Sequence, residues 1–516
     1  MRLSKRAETQ DKKRLVETFV DNGPLFTLLS REDHQVIYGR RGTGKTHALS
    51  YLAEKRQELG DCVVLLDLRT IGSTGGLYGD TNLPISERGT RLLCDTLAAF
   101  HGGLLDFFIS HAEELNLSEA GAILDKLADA ITEVRVEGSI QKEQAHEENI
   151  ENKQTAETKL KLGGNGFSIS DCGGSVSGTA QKSGAKITET GTLRHRVHFG
   201  AVGNALEKLA KMLGKRRAWL LLDEWSSIPI ELQPFLADLL RRSLFPVANC
   251  TVKIAAIEQR SKFMLSLEKG DYLGVELGAD IAADLNFDDF MVFEHDAARA
   301  KEFFRELLYR HVIALDDQLV SEQSDSFKFI SAAFTQKPVF EEFVRAAEGV
   351  PRDAINIVTL AAQKALNESI SIVHLRSAAR DWYQRDKDAA VRSSTGAHKL
   401  LHWIIEEVIG HRHARAFLLR TDTSHDLINS LFDSRVLHIL KRNIAAHDQP
   451  GIRYDAFKLD YGCYVDFIST AKAPQGLLQG VNEGGQKIFV DVPPDDYRAI
   501  RRAILDLAEF EKALTA

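Results

Sequence analysis

The first ordered pattern along the chain is a short strand-like run, His34-Gln35-Val36-Ile37-Tyr38, set between the polar lead-in Ser30-Arg31-Glu32-Asp33 and a glycine-rich turn. Beyond the turn, His47 to Glu58 carries Ala48, Leu49, Leu52 and Ala53 at helical spacing. Cys62 to Leu68 is a continuous apolar run of the kind a buried parallel strand needs, so the three together predict a βαβ unit. Upstream, Leu15 to Leu29 reads as an amphipathic segment packing before the first strand. Downstream, Gly72 to Pro84 reads as a loop and Arg88 to Phe108 as a helix through Leu92, Leu93, Leu97 and Phe100. Ala201 to Leu213 is predicted helical, Ala218 to Leu222 a strand, Glu231 to Arg242 a helix and Val252 to Ile257 a strand. Phe290 to Phe293 is a further short strand candidate, followed by a helix over Ala297 to His311.

Two stretches depart from this alternation. Ser118 to Ile150 reads as charged helix, and Gly163 to Thr192, rich in Gly, Ser and Thr, as a hairpin or surface flap, so 118–195 is expected to be an insertion. Residues 328–392 look wholly helical, interrupted where Gly349-Val350-Pro351-Arg352-Asp353 starts a new helix with an arginine in its first turn. The last part predicts helices over Leu400 to Leu419 and Asp426 to Arg442, then strands over Tyr454 to Tyr461 and Tyr464 to Phe467. The expected class is α/β, with a parallel sheet in residues 1–325, a helical segment at 326–394 and a third domain at 395–516.

The turn between the first strand and helix, Gly39-Arg40-Arg41-Gly42-Thr43-Gly44-Lys45-Thr46, fits the phosphate-loop pattern G-x-x-x-x-G-K-[ST]. A polyphosphate needs close, fixed donors. Gly42 and Gly44 let the backbone curl so that successive amides, continuing through His47, point inward at a helix N-terminus. Lys45 is placed to reach the β- and γ-phosphates, and the Thr46 hydroxyl is offered to Mg2+. The expected ligands are therefore ATP or ADP with Mg2+. The apolar strand at Ala218 ends in Asp223-Glu224: the first acid is placed for the same metal, the second to polarise an attacking water. Alternatively both cap the following helix. Arg352 suits reaching back toward a γ-phosphate, although spacing alone favours an exposed helix arginine.

Bulk properties narrow the picture further. A chain of 516 residues exceeds one ordinary core, and a formal net charge of -8 argues against nonspecific coating of nucleic acid or anionic membrane. Cys62, Cys94, Cys172, Cys250 and Cys463 include no C-x-x-C pair, so neither a structural zinc site nor a disulfide framework is expected. No run of about 18 uninterrupted apolar residues is present and the first residues lack an apolar h-region; a cytoplasmic protein without membrane attachment is expected.

Taken in this order, the loop Gly39 to Thr46, the strand end Leu220-Leu221-Leu222-Asp223-Glu224, the strand to Ile257 and Gly349-x-x-Arg352 resemble the AAA+ ATPases, most closely the origin-recognition (ORC-type) initiator clade and its bacterial relatives. The resemblance covers about residues 15–390. It implies a five-stranded parallel core with a helical lid, ATP between them, Arg352 as the lid arginine, and subunit assembly in which an arginine completes a neighbour's site. Arg241, Arg242 and Arg260 are candidates for that arginine. Glu258 stands where the clade has a small polar sensor residue, a departure that bears on hydrolysis. Residues 395–516 would correspond to a winged-helix domain docking on duplex DNA. His411-Arg412-His413-Ala414-Arg415 and Lys441-Arg442 are basic spots, but Asp426, Asp433, Asp455, Asp460 and Asp466 are interspersed. A DNA-associated ATPase is one reading; a nucleotide-gated scaffold acting through self-association or protein partners, as in signalling or anti-phage defence, is the other.

Overall fold

The apolar runs become strands of one five-stranded sheet: β1 (Gln35–Tyr38), β2 (Cys62–Asp67), β3 (Ala218–Asp223), β4 (Cys250–Ala256) and β5 (Ala282–Asn286), in the order β5-β1-β4-β3-β2. In this computed structural model β2 lies parallel to β3 from Cys62↔Ala218 to Asp67↔Asp223, and β3 parallel to β4 from Ala218↔Cys250 to Leu222↔Ile254. Every residue of β3 and β4 is buried, which is why β3 reads as an unbroken apolar run up to Asp223, while β4 also takes Thr251 and Lys253 out of water. The structure describes residues 12–515 except 22, 72–77, 79, 81, 133, 138–139, 143–174, 183–184, 196, 268–269, 291–296, 316–324, 412–413, 424, 446–450, 469–479, 482–486 and 489–503. The chain forms two compact units: Met1–Lys55 with Ala255–Arg260 and Ala283–Ala516, and Arg56–Ile254 with Ser261–Ala282.

The second unit is built on β2 and β3. Trp219 is fully buried in β3; Arg56 lies 4.3 Å over its ring and Asp61 accepts its indole N–H at 3.0 Å. Helix α2 (Ile85–Ser110) buries Leu92, Leu97, Phe100, Leu104 and Phe108. By length and composition alone it could cross a membrane, yet Gly103 lets it approach the sheet so closely that an added Cβ would lie 2.7 Å from the Val64 methyls. The insertion is helical over Leu117–Ile131, N-capped by the Asn116 side chain. Ser175–Lys182 and Ala185–His195 then form the expected hairpin. The charged helix does not run to Ile150: Val134–Glu137 and Ile140–Lys142 are strands paired with that hairpin. Cys172 and the segment from Gly163 to Gly174 lie outside the described residues.

In the first unit one buried cluster runs from Ala300 to Phe510, so the helices at 326–394 and the final segment share a core. The helical region is real but interrupted, with helices at Ser326–Ala333, Lys337–Ala346, α3 (Pro351–Ala365) and Ile372–Trp382. Three expectations for the last segment are corrected. The helix from Thr395 runs to Ile405 and continues as a π-helix to His411, and Ala416–Arg420 is a strand, β6. Helix α4 covers only Asp426–Asp433; Arg435, at φ 61, turns the chain and Leu437–Ala445 is strand β7. Arg453–Leu459 is strand β8, but Tyr461–Ile468 is helical. The strands form an antiparallel sheet in the order β6-β8-β7. Short apolar runs such as Ala416 to Leu419 fit either period, and here pairing to β8 decides them. Of the strand expected at Phe290 to Phe293, Phe290 closes the helical turn Phe287–Phe290 and the rest lies outside the described residues; the edge strand of the sheet is the more polar β5.

Candidate nucleotide site

The Gly39 amide donates to the Ala256 carbonyl at 3.2 Å, fixing where the loop leaves β1. Gly42 and Gly44 take φ of 89 and 98, left-handed values that side chains resist. A Cβ on Gly44 would meet nothing within 4 Å, whereas one on Gly42 would lie 2.9 Å from the Arg352 Cβ and 3.2 Å from Val350 Cγ1. The reason is that the start of α3 backs the loop, with the Arg352 amide donating to the Gly42 carbonyl at 3.2 Å. Pro351 occupies the first turn of α3, where its missing N–H costs nothing. Arg352, which spacing alone would leave on an exposed helix face, thus starts a helix that lies against the loop.

Lys45, the first residue of helix α1 (Lys45–Glu58), folds its ammonium over the loop, donating to the Gly39 carbonyl at 2.6 Å and the Arg40 carbonyl at 3.0 Å. The Thr43 hydroxyl also donates to the Arg40 carbonyl, at 2.9 Å. Arg41 is exposed and Thr46 half-buried. The His47 ring bonds the Leu15 carbonyl at 2.7 Å and meets Phe19 edge-on; burial lowers its pKa. Its side chain is a packing element, so any part it takes in anion binding belongs to its backbone amide.

Arg40 is the residue that motif reading does not anticipate. Its side chain is buried, with Nε donating to Asp288 Oδ1 at 2.7 Å and its backbone amide to Oδ2 at 3.0 Å. Nη1 donates to the Leu437 carbonyl and to His438 Nδ1, both at 3.0 Å, and the guanidinium lies 4.7 Å over the Phe432 ring. Because a guanidinium only donates, His438 Nδ1 is an acceptor and its proton sits on Nε2, 3.0 Å from Asp460 Oδ2. Burial, then the neighbouring Arg40 charge, lowers the His438 pKa to about 4. Asp460 in turn meets Lys387, which also meets Asp353 at 2.9 Å. Burial alone would raise the Asp353 pKa, but Arg435 and Lys387 hold it below its ordinary value; burial opposes the charge of Lys387, which these acids nevertheless keep raised.

A pH dependence follows. His311, buried on the helix Ala297–Ile313, is likewise lowered to about 4, chiefly by burial. An unfolded histidine titrates near 6.5. Between pH 6.5 and 4 the unfolded chain therefore holds more protons at these positions, and stability rises with pH. Acidification through that window should lower Tm, and His438→Gln and His311→Gln should each flatten the decline. A melting temperature flat from pH 6.5 to 4.5 would contradict the buried neutral imidazoles.

In the second unit, Asp223 ends β3 with its Oδ1 accepting the Glu224 amide at 2.9 Å. Glu224 takes φ 56, a left-handed conformation that costs a non-glycine residue about 1–2 kcal/mol. It precedes the turn Trp225–Ser227, and the helix that follows, Gln233–Leu239, has Leu232 at its N-cap and no side-chain cap, which speaks against helix capping as the reason for these acids. Asp67, at the end of β2 and in register with Asp223, is held by Arg69 Nη2 at 2.6 Å, and Arg69 Nη1 stands 3.8 Å from Glu224 Oε1. Sequence reading missed Asp67 and Arg69; the only signal was an acid ending the apolar run of β2.

The departure at Glu258 has a local explanation. Its carboxylate receives Arg442 in a two-pronged ion pair at 3.1 and 2.7 Å, so its charge is met by the final segment. Arg260 pairs with Asp433 beside it. Arg241 is drawn in against Asp238 at 2.8 Å and Tyr272 at 2.9 Å, while Arg242, also paired with Asp238, and Arg260 keep about half of their side chains in solvent, at 51% and 45%.

Residues 3–65, the segment containing the loop, match the ORC-CDC6-like family model. No curated protein matches the chain. Among solved structures, the Aeropyrum pernix Orc1 protein in complex with DNA is similar over 87% of this chain and 93% of that one, at 13% identity and a TM-score of 0.31.

Proposed function

We propose, taking the ORC-CDC6-like segment at residues 3–65 as premise, that this chain is an AAA+ ATPase that binds ATP at Gly39 to His47 and hydrolyses it slowly. The carrying observation is the loop: two left-handed glycines, an open face at Gly44 and a lysine already folded over the loop's carbonyls, which suit a polyphosphate. In this reading the loop amides and Lys45 hold the phosphates, Arg352 meets the γ-phosphate, Thr46 and Asp223 hold Mg2+, and Glu224 takes the proton of the attacking water. Mg2+ when bound would neutralise charge on the phosphates. Arg69 restrains Glu224, so release from that arginine would precede its use as a base. The division into a core, a lid at 326–394 and a winged-helix-like domain at 395–516 is part of the same proposal.

Turnover tests it. Glu224→Gln should keep ATP binding and lower hydrolysis by about 10²–10⁴-fold, the usual contribution of a positioned general base. Hydrolysis at the wild-type rate in that variant removes Glu224 from the mechanism.

ATP-controlled binding of duplex DNA through residues 395–516 is the favoured use of the cycle. One observation supports the scaffold reading instead: among the described residues Arg420, Arg435, Arg442 and His411 each pair with an acid of this chain, leaving less positive charge for phosphates. ATP-dependent affinity for duplex that drops steeply with salt would decide for DNA; a nucleotide-dependent change of mass without duplex affinity would decide for the scaffold.

A further inference from the structure

Arg40 occupies a position of the loop motif that any residue can fill, since phosphate binding there uses backbone amides. Burying a guanidinium at such a position is costly unless its donors are met. Nε and Nη1 are met by groups from far along the chain, Asp288, the Leu437 carbonyl and His438, and the guanidinium plane by the Phe432 ring. The last three belong to α4 and β7. Behind His438 the contacts continue through Asp460 and Lys387 to Asp353, the residue after Arg352. The Arg352 amide bonds the Gly42 carbonyl. The circuit thus leaves the loop at Arg40 and returns to it at Gly42. Two further ion pairs, Glu258 with Arg442 and Arg260 with Asp433, join the chain just beyond β4 to the same β7 and α4.

We propose that Arg40 is a positioning residue that makes the shape of the phosphate loop and the seating of α4 and β7 a single equilibrium, so that nucleotide occupancy is communicated to residues 395–516. The inference rests on the nucleotide reading above and adds its route of control. Its physical basis is the stiffness of a buried guanidinium held at both Nε and Nη1. The loop cannot change curvature at Arg40 without breaking a charge-assisted bond to Asp288 or shifting β7, and either costs more than moving a solvated side chain. Coupling of this kind is reciprocal: a partner that displaces β7 changes nucleotide affinity by the same factor that nucleotide changes partner affinity.

The test uses the full chain, a fluorescent ATP analogue with Mg2+, and hydrogen exchange read on peptides covering 437–445. Wild type should bind the analogue and change its exchange at 437–445. Arg40→Lys keeps the charge but loses the planar fork; it should bind about tenfold more weakly and lose the exchange response. A purely structural role would weaken binding without uncoupling the strand. If Arg40→Lys lacks the wild-type circular dichroism spectrum, His438→Gln, which leaves the Asp288 contacts, carries the same expectation. Wild type that binds the analogue with no response at 437–445, or a folded variant that responds as wild type does, overturns the coupling. Wild type that fails to bind the analogue overturns the nucleotide reading itself and the coupling with it.

Discussion

Lys45→Ala should lose nucleotide binding by roughly 100-fold or more, because it removes the ammonium that spans the loop and with it at least two charge-assisted hydrogen bonds of about 1.5–3 kcal/mol each. In the structure that ammonium meets the Gly39 and Arg40 carbonyls, and a phosphate tail in the loop would take over as its partner. The effect should fall on binding and not on folding. Lys45 is half-buried at the start of α1, and alanine is the best helix former. Equilibrium binding of a fluorescent ATP analogue, with thermal melts alongside, separates the two. Wild-type affinity in the variant would mean that the loop is not a phosphate site, and every role assigned to Thr46, Asp223, Glu224 and Arg352 would go with it.

The second large effect is on stability. Lys387 is 2% exposed, with its ammonium between Asp353 and Asp460, both nearly inaccessible. Lys387→Met keeps the bulk but leaves Asp460 with the neutral His438 ring and the Gly462 amide, and Asp353 with Arg435 and the Trp382 indole. Removing one member of a buried ionic cluster typically costs about 3–5 kcal/mol, since the remaining charge is stranded away from water. The denaturant midpoint of the first unit's transition should drop accordingly. Adding Asp460→Asn should recover part of the loss, because the amide carries no charge to strand. Equal stability of wild type and Lys387→Met would show that the cluster is open to water. The same variant should weaken the circuit behind Arg40, so nucleotide affinity is expected to fall with it.

Much of the architecture was legible from one dimension. The continuous apolar run of β3 could be placed because a strand buried on both faces has no polar side to blur it, and the run of β2 was legible although Leu65 is exposed. The helices at α1, α2 and Phe199–Met212 were found from their spacing within a residue or three. The insertion hairpin was anticipated from Gly, Ser and Thr content with local alternation. The misreadings share a cause. Ala416 to Leu419 is apolar and Leu437 to Leu440 is apolar but for His438; both are too short to fix a period, and they become strands because β8 pairs with both. The strand candidate at Phe290 to Phe293 begins in the helical turn Phe287–Phe290 and otherwise lies outside the described residues.

The residues of the candidate site divide along the same line. Gly39 to Thr46 declare themselves by type and spacing, because a backbone that must curl around an anion needs glycine at fixed positions and a lysine at the helix start; nothing distant enters that requirement. The approach of Arg352 to Gly42, the capture of Glu258 by Arg442 and the burial of Arg40 among Asp288, Leu437 and His438 join residues separated by as many as 398 positions. Such pairings depend on which charges the folded chain removes from water together. A local pattern therefore determined a loop of phosphate-loop sequence at the end of a buried strand, and only the tertiary structure decided that the loop's second residue is buried among Asp288, Leu437 and His438.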